Sequence, residues 1–180
     1  MGCVYCGVEA GDTKDHVPPK CLLRKPYPTN LMTVPSCLGC NGGSSKDEEY
    51  FRLLIVGLLC HTEEAELLFD GPMSRSMDRN TKIGELMFGS LRPTDAAVIM
   101  DFDYQRIYRI AEKIARGLEF AMTGVAYPVN QQFEVDFSEV DGMSAVDTFG
   151  PDFTYQRIVN AQSGWEFTMF SSVRFVVQLA

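Results

Sequence analysis

Four cysteines stand in two matched pairs near the start of the chain, Cys3-x-x-Cys6 and Cys37-x-x-Cys40. A Cys-x-x-Cys turn aims two thiolates at one centre, and two such turns supply the four soft ligands of a tetrahedral zinc ion. One pair alone would serve equally as a redox dithiol; two pairs joined by a loop-sized insert point to structural zinc. Asp15-His16 lies between the pairs, and Asn41 directly follows the last cysteine. His16 is one of only two histidines, and an imidazole titrates near neutral pH, which suits a general base. Asp15 and Asn41 offer hard oxygens of the type that Mg2+ selects. Activated water, a cation on the phosphate and in-line geometry are what phosphodiester hydrolysis asks for.

The elements around these residues follow from prolines and turn signals. Pro18 and Pro19 disfavour helix just before them, so Asp15-His16-Val17 reads as a short strand. Leu31 to Val34 reads as a second strand ended by Pro35. Asn41-Gly42-Gly43-Ser44 reads as a turn, and Ser45 with Glu48 three residues on has the form of a capping box opening a helix. Lys46, Asp47 and Glu48 begin that helix. Lys46 could meet a phosphate and an acidic neighbour could reach a metal, but each is also an ordinary first-turn residue. His61 falls some five turns further along and reads as structural or exposed. Cys21 and Cys60 have no partners in this scheme and read as small buried apolar residues.

Cys-x-x-Cys, Asp-His, an extended pair, Cys-x-x-Cys-Asn and a helix together resemble the HNH nucleases, also called ββα-metal or His-Me finger nucleases. The pattern is similar to the zinc-containing branch that includes phage resolvases of the endonuclease VII type. The resemblance covers roughly residues 3 to 55. It implies that His16 is the general base, that Asp15 and Asn41 hold a catalytic Mg2+ or Mn2+, and that Cys3, Cys6, Cys37 and Cys40 hold a separate structural zinc. It also implies DNA as the partner. Many members carry a His or Asn in the following helix, and this chain has neither at the usual distance, so the third motif residue is unassigned. A non-catalytic zinc module for nucleic-acid or protein interaction is the alternative, with Asp15-His16 only shaping the hairpin.

The net charge of -8 argues against a generally DNA-binding surface. Through Arg52, however, six basic residues face six acidic ones, so the whole excess lies downstream. Attraction to phosphate acts within about 8 Å at physiological salt, so a neutral module can still bind nucleic acid. Hydrophobic residues make up 46% and charged residues 22%, ordinary for a globular protein. No apolar run approaches a membrane span and no basic leader opens the sequence. The expectation is a cytoplasmic protein with reduced, metal-holding thiols.

Downstream, 70–80 reads as a polar break, Lys82 to Phe88 as a short helix, 92–95 as another break and Ala96 to Phe102 as a strand. From Tyr104 to Met122, Ile107, Ile110, Ala111, Ile114, Leu118 and Ala121 recur at helical spacing, and Gly124 closes the helix. Arg106, Arg109, Lys113 and Arg116 lie off that stripe, as a phosphate-facing strip or as a solvated face. Phe133 to Phe137, Phe153 to Val159, Trp165 to Phe170 and Val173 to Leu179 alternate as strands, the last three as an antiparallel meander. Tyr155, Trp165, Phe167 and Phe170 could stack bases but more often build a core. The reading is an α+β protein: a zinc-stapled ββα-metal module over residues 1–60, then a helical segment and an antiparallel β meander over 61–180. That second part would support, target or pair the module as a homodimer.

Overall fold

The computed structural model describes residues 1–79, 82, 85, 89, 91–94, 98–140, 147–150, 152–159 and 163–180. The chain is mixed α and β, as its patterning implies. Strands β1 (Thr13–Val17) and β2 (Met32–Ser36) form an antiparallel hairpin in which Asp15 faces Val34 and His16 faces Thr33. β2 runs through Pro35 instead of stopping before it. A two-stranded ribbon has open edges, where a missing N–H is tolerated.

Helix α1 (Leu38–Gly43) follows at once, so Asn41 to Gly43 are helical and not in a turn. The helix starts early because Cys37 is its cap: the Cys40 amide donates to Cys37 Sγ at 3.3 Å. The expected capping box does not form at α2 (Ser45–Leu54). Ser44 Oγ donates to Glu48 Oε1, Ser45 Oγ donates back to the Gly42 carbonyl, and Glu48 is drawn to a distant lysine. Beyond α2 come a π-helical turn (Ile55–Leu59), α3 (Glu63–Leu68), a second π turn (Phe69–Met73) and α4 (Ser74–Arg79). The region read as a polar break at 70–80 is therefore helical up to Arg79; weak periodicity hid elements this short. β3 (Leu91–Pro93) pairs with β4 (Val98–Met100) where a break and a strand were expected. The helix expected at Lys82 to Phe88 falls largely outside the described residues.

The long helix α5 (Tyr104–Thr123) runs as the sequence implies. Asp103 caps its start by accepting from the Arg106 amide, and Gly124 ends it at φ +74°, a conformation glycine adopts without strain. The C-terminal sheet has the order β5-β9-β8-β7-β6, all antiparallel, with β5 (Phe133–Glu139), β6 (Asp147–Thr148), β7 (Phe153–Ile158), β8 (Gly164–Met169) and β9 (Val173–Leu179). Tyr155, Trp165, Phe167 and Phe170 are buried in its core.

Packing crosses residue 60. Phe51 of α2 lies 5.2 Å from Phe175 of β9, ring centre to ring centre, and one hydrophobic cluster contains Val17, Val34, Ile110, Ile114 and Phe167. Helix α5 is the element through which the hairpin and the sheet meet. Gly117 makes the approach possible, since a Cβ there would lie 2.5 Å from Val17 Cγ2. A mid-helix glycine costs about 1 kcal/mol against alanine, and here it brings α5 onto β1.

Candidate functional site

The hairpin brings the two cysteine pairs together. The Gly11 amide donates to the Met1 carbonyl and the Val4 amide to the Pro35 carbonyl, docking the first turn beside the end of β2. Gly7 closes that turn at φ +65°, which favours glycine after the second cysteine. The sulfurs of Cys3, Cys6, Cys37 and Cys40 all lie within 4.8 Å of one another, and Cys6 Sγ is 3.9 Å from Cys37 Sγ. A tetrahedral ion with Zn–S bonds of about 2.3 Å separates its sulfurs by about 3.8 Å. The four thiols can therefore hold a metal ion such as zinc, and they are the only such cluster among the described residues.

Their acidities diverge. Burial pushes the Cys3 thiol up, but amides of Cys6, Cys37 and Tyr5 more than offset it and bring the pKa to about 6. Burial and then its neighbouring thiols push Cys40 well up. One thiolate forms readily, while full ionisation of the cluster calls for a cation at its centre. Away from the cluster, burial pushes Cys60 up to about 12, as expected of an inert core thiol.

Along β1 the side chains alternate: Asp15 and Val17 are buried, and His16 is half-buried on the other side. Asp15 is 6% exposed, and its Oδ2 is 2.8 Å from Lys113 Nζ of α5. Lys113 Nζ is also 2.5 Å from Glu48 Oε1 and 2.6 Å from Ser44 Oγ. The match between elements is geometric. Lys113 and Gly117 are four residues apart on α5, about 6 Å of rise, and Asp15 and Val17 are two apart on β1, about 6.6 Å. Where Gly117 meets Val17, Lys113 must meet Asp15.

Burial opposes the Lys113 charge, but Glu48 and Asp15 outweigh it and raise its pKa above the ordinary value. Tyr5 shares the pocket: burial, then the charge of Asp15 and a hydrogen bond to it, keep the phenol protonated. Even so, Asp15 Oδ2 has no partner in good hydrogen-bond geometry, since Lys113 meets it as an ion pair and off the hydrogen-bond direction. Asn41 flanks the same side, with Nδ2 donating to Thr13 Oγ1 at 3.0 Å and to the Lys14 carbonyl at 3.4 Å.

The Asp15 and Glu48 carboxylates and the Ser44 hydroxyl thus meet at Lys113 Nζ, while the Asn41 amide is held by Thr13 and Lys14. Lys113 stands among them, so a divalent ion at Asp15 must displace or share with an ammonium. His16 lies on the opposite face from Asp15. Burial, and next the charge of Lys20, hold its pKa below 6.5, with Asp15 acting in the other direction.

Lys46 is exposed, and its carbonyl accepts from Arg106. Asp47 is gripped by Arg106 at 2.7 Å and Arg109 at 2.8 Å. Arg109 is solvated while it pairs with Asp47, whereas Lys113 and Arg116 do not lie on a solvated face. Lys113 and Arg116 are each 8% exposed; Arg116 donates to the carbonyls of Pro128 and Gln131. Glu119, also buried, accepts from Arg157 and from Trp165 Nε1. Sequence reasoning offered Lys113 only as part of a phosphate strip or a solvated face and missed its pairing with Asp15 and Glu48. The only signal was its i−4 spacing from a glycine inside a strong helix. His61 is exposed, beside Glu139 and Ser172 and away from this cluster.

No protein-family model matches the chain, and no curated protein or solved structure matches it either.

Proposed function

We propose that this chain is a zinc-stapled endonuclease of the HNH type that hydrolyses phosphodiester bonds in nucleic acid, with His16 as proton acceptor. The observation that carries the reading is the environment of His16. Its ring is half-buried on the outer face of the hairpin, and burial with the neighbouring Lys20 favours the neutral form. A neutral imidazole at pH 7 can take a proton from water, and the adjacent ammonium can hold the phosphate that the water attacks. Cys3, Cys6, Cys37 and Cys40 hold a structural zinc that locks the hairpin presenting His16. Asp15 and Asn41 are the residues that would hold Mg2+ or Mn2+; such an ion would supply positive charge in place of Lys113, on the face of the hairpin opposite His16. Asp15 supports the hairpin from its buried face, and Tyr5 and Lys113 keep it oriented.

A second reading has its own support. Lys113 already neutralises Asp15 and Glu48, as in a zinc module that binds without cutting. A plasmid-nicking assay with Mg2+, with and without EDTA, decides between the two. Metal-dependent nicking that falls about 10²–10⁴-fold in His16→Ala, with zinc content unchanged, is the expected result. The rate should rise with pH through a midpoint below 6.5, because the base must be neutral. Nicking by His16→Ala at the wild-type rate would remove His16 from the chemistry. Binding without cleavage would establish the module instead.

A further inference from the structure

A cavity of about 880 Å3 lies between the loop that follows β1 and the helices α2, α3 and α4, with Phe149, Gly150 and Asp152 also lining it. This is toward the upper end of ligand clefts, about 300–1,000 Å3. Among the described residues five cations line it, Lys20, Arg24, Lys25, Arg52 and Arg75, against one carboxylate, Asp152. Asp152 is already engaged: it accepts from Arg24 Nε at 2.7 Å and from the Arg24 amide at 2.9 Å. The other four cations have no ion pair among the described residues. In a chain of net charge -8, this concentration runs against the average.

Two further observations point to a ligand. Arg52 Nε is buried with no hydrogen-bond partner, and an orphaned guanidinium donor beside a cavity calls for an anionic acceptor. Lys20 and Lys25 both sit over the Tyr27 ring, at 5.2 and 5.7 Å from its centre, which holds two ammonium groups at one wall without neutralising them. Lys20, which lines the groove, is also the cation that acts on His16, so one wall of the groove lies near the proposed base.

We infer that this groove seats the phosphodiester backbone of a nucleic-acid strand and leads it to His16. The inference rests on the nuclease reading for its direction but not for its binding chemistry. Guanidinium forks match phosphate oxygens, and a row of cations spaced along a groove suits a repeating polyanion.

The test is fluorescence anisotropy of a labelled single-stranded 20-mer with the full chain at 50 mM salt. EDTA blocks divalent-dependent cleavage, and retained zinc is checked in the same samples. Lys25→Gln/Arg75→Gln removes two exposed cations. It should weaken binding at least tenfold and lower the slope of log K against log salt by about 1.4, at roughly 0.7 per phosphate contact. Lys82→Gln/Arg92→Gln, an equal charge change elsewhere, should leave both nearly unchanged. Equal losses in the two variants, or no binding by wild type, would overturn the groove. Displacement of the 20-mer by polyglutamate as effectively as by unlabelled oligonucleotide would make it a general polyanion site and overturn the strand assignment. Displacement by millimolar inorganic phosphate alone would do the same in favour of a small-phosphate site. Binding that depends on the groove in a protein that never nicks would retain the groove and discard the nuclease.

Discussion

Replacing Lys113 with Met keeps most of the aliphatic stem and removes the charge that two carboxylates share. At an effective dielectric of about 20, an ammonium 2.8 Å from Asp15 and 2.5 Å from Glu48 is attracted by about 6 kcal/mol to the first and about 7 kcal/mol to the second. Dehydration of three charges and the mutual repulsion of the carboxylates take back much of this. The lysine and aspartate side chains are only 9% and 8% exposed, so screening takes little. Removing one partner of such a buried pair costs about 3–5 kcal/mol, a large share of a typical stability of about 5–15 kcal/mol. Urea unfolding at pH 7 should therefore show Lys113→Met less stable by that amount with an unchanged m value.

The sign of the pH dependence follows from the raised Lys113 pKa. Its contribution is complete below the unfolded value of 10.5 and fades as pH rises through the higher folded value, so the loss in the variant should be flat from pH 7 to 9. The double variant Lys113→Met/Asp15→Asn should lose less than the sum of the single losses, by about 0.5–3 kcal/mol. Mn2+ at a hundred times its Kd should return about 2.7 kcal/mol to Lys113→Met, because the vacated oxygens are then open to a hard cation. A loss under about 1 kcal/mol, or strict additivity in the double variant, would refute the cluster as described.

Gly117→Ala tests the contact that places Lys113. Helix propensity alone gains about 1 kcal/mol, whereas a Cβ at 2.5 Å from Val17 Cγ2 costs about 1–3 kcal/mol of overpacking, so thermal unfolding should show a net loss; a gain would mean the hairpin moves freely. At Asp47, burial raises the carboxyl pKa and hydrogen bonds from Arg109 and Arg106 more than offset it, leaving it below 3.8. That stabilisation is full above about pH 3.8 and lost as pH falls through the lower folded value, so Asp47→Asn should cost about 1–2 kcal/mol at pH 7 and progressively less as pH falls below 3.8. Purified protein should carry one zinc per chain by metal analysis, and Cys37→Ser should carry none. Because one hydrophobic cluster joins hairpin and sheet, stripping the metal should unfold the chain in a single step, with Trp165 fluorescence and thiol reactivity changing together.

Much of this architecture is legible in local residue patterns. Two Cys-x-x-Cys turns declare a four-sulfur cluster because spacing alone directs both thiols of each turn to one centre. Prolines and alternation mark β1, β2 and the late strands, and the apolar stripe with Asp103 and Gly124 marks α5. Elements of six residues or fewer, such as α1 and α4, escape this reading, since they carry too few turns for a period to show, and α1 is nucleated by a cysteine cap and not by a standard one. What α5 does with its polar face was decided only by tertiary packing. Lys113, Arg116 and Glu119 are spaced like a solvated helix surface, yet all three are buried, because the hairpin closes over one side of the helix and the sheet over the other. No local pattern encodes a partner ninety-eight residues away in the chain, as Asp15 is from Lys113. The glycine that lets two backbones approach, and the matched rise of helix and strand from that point, put the two charges together.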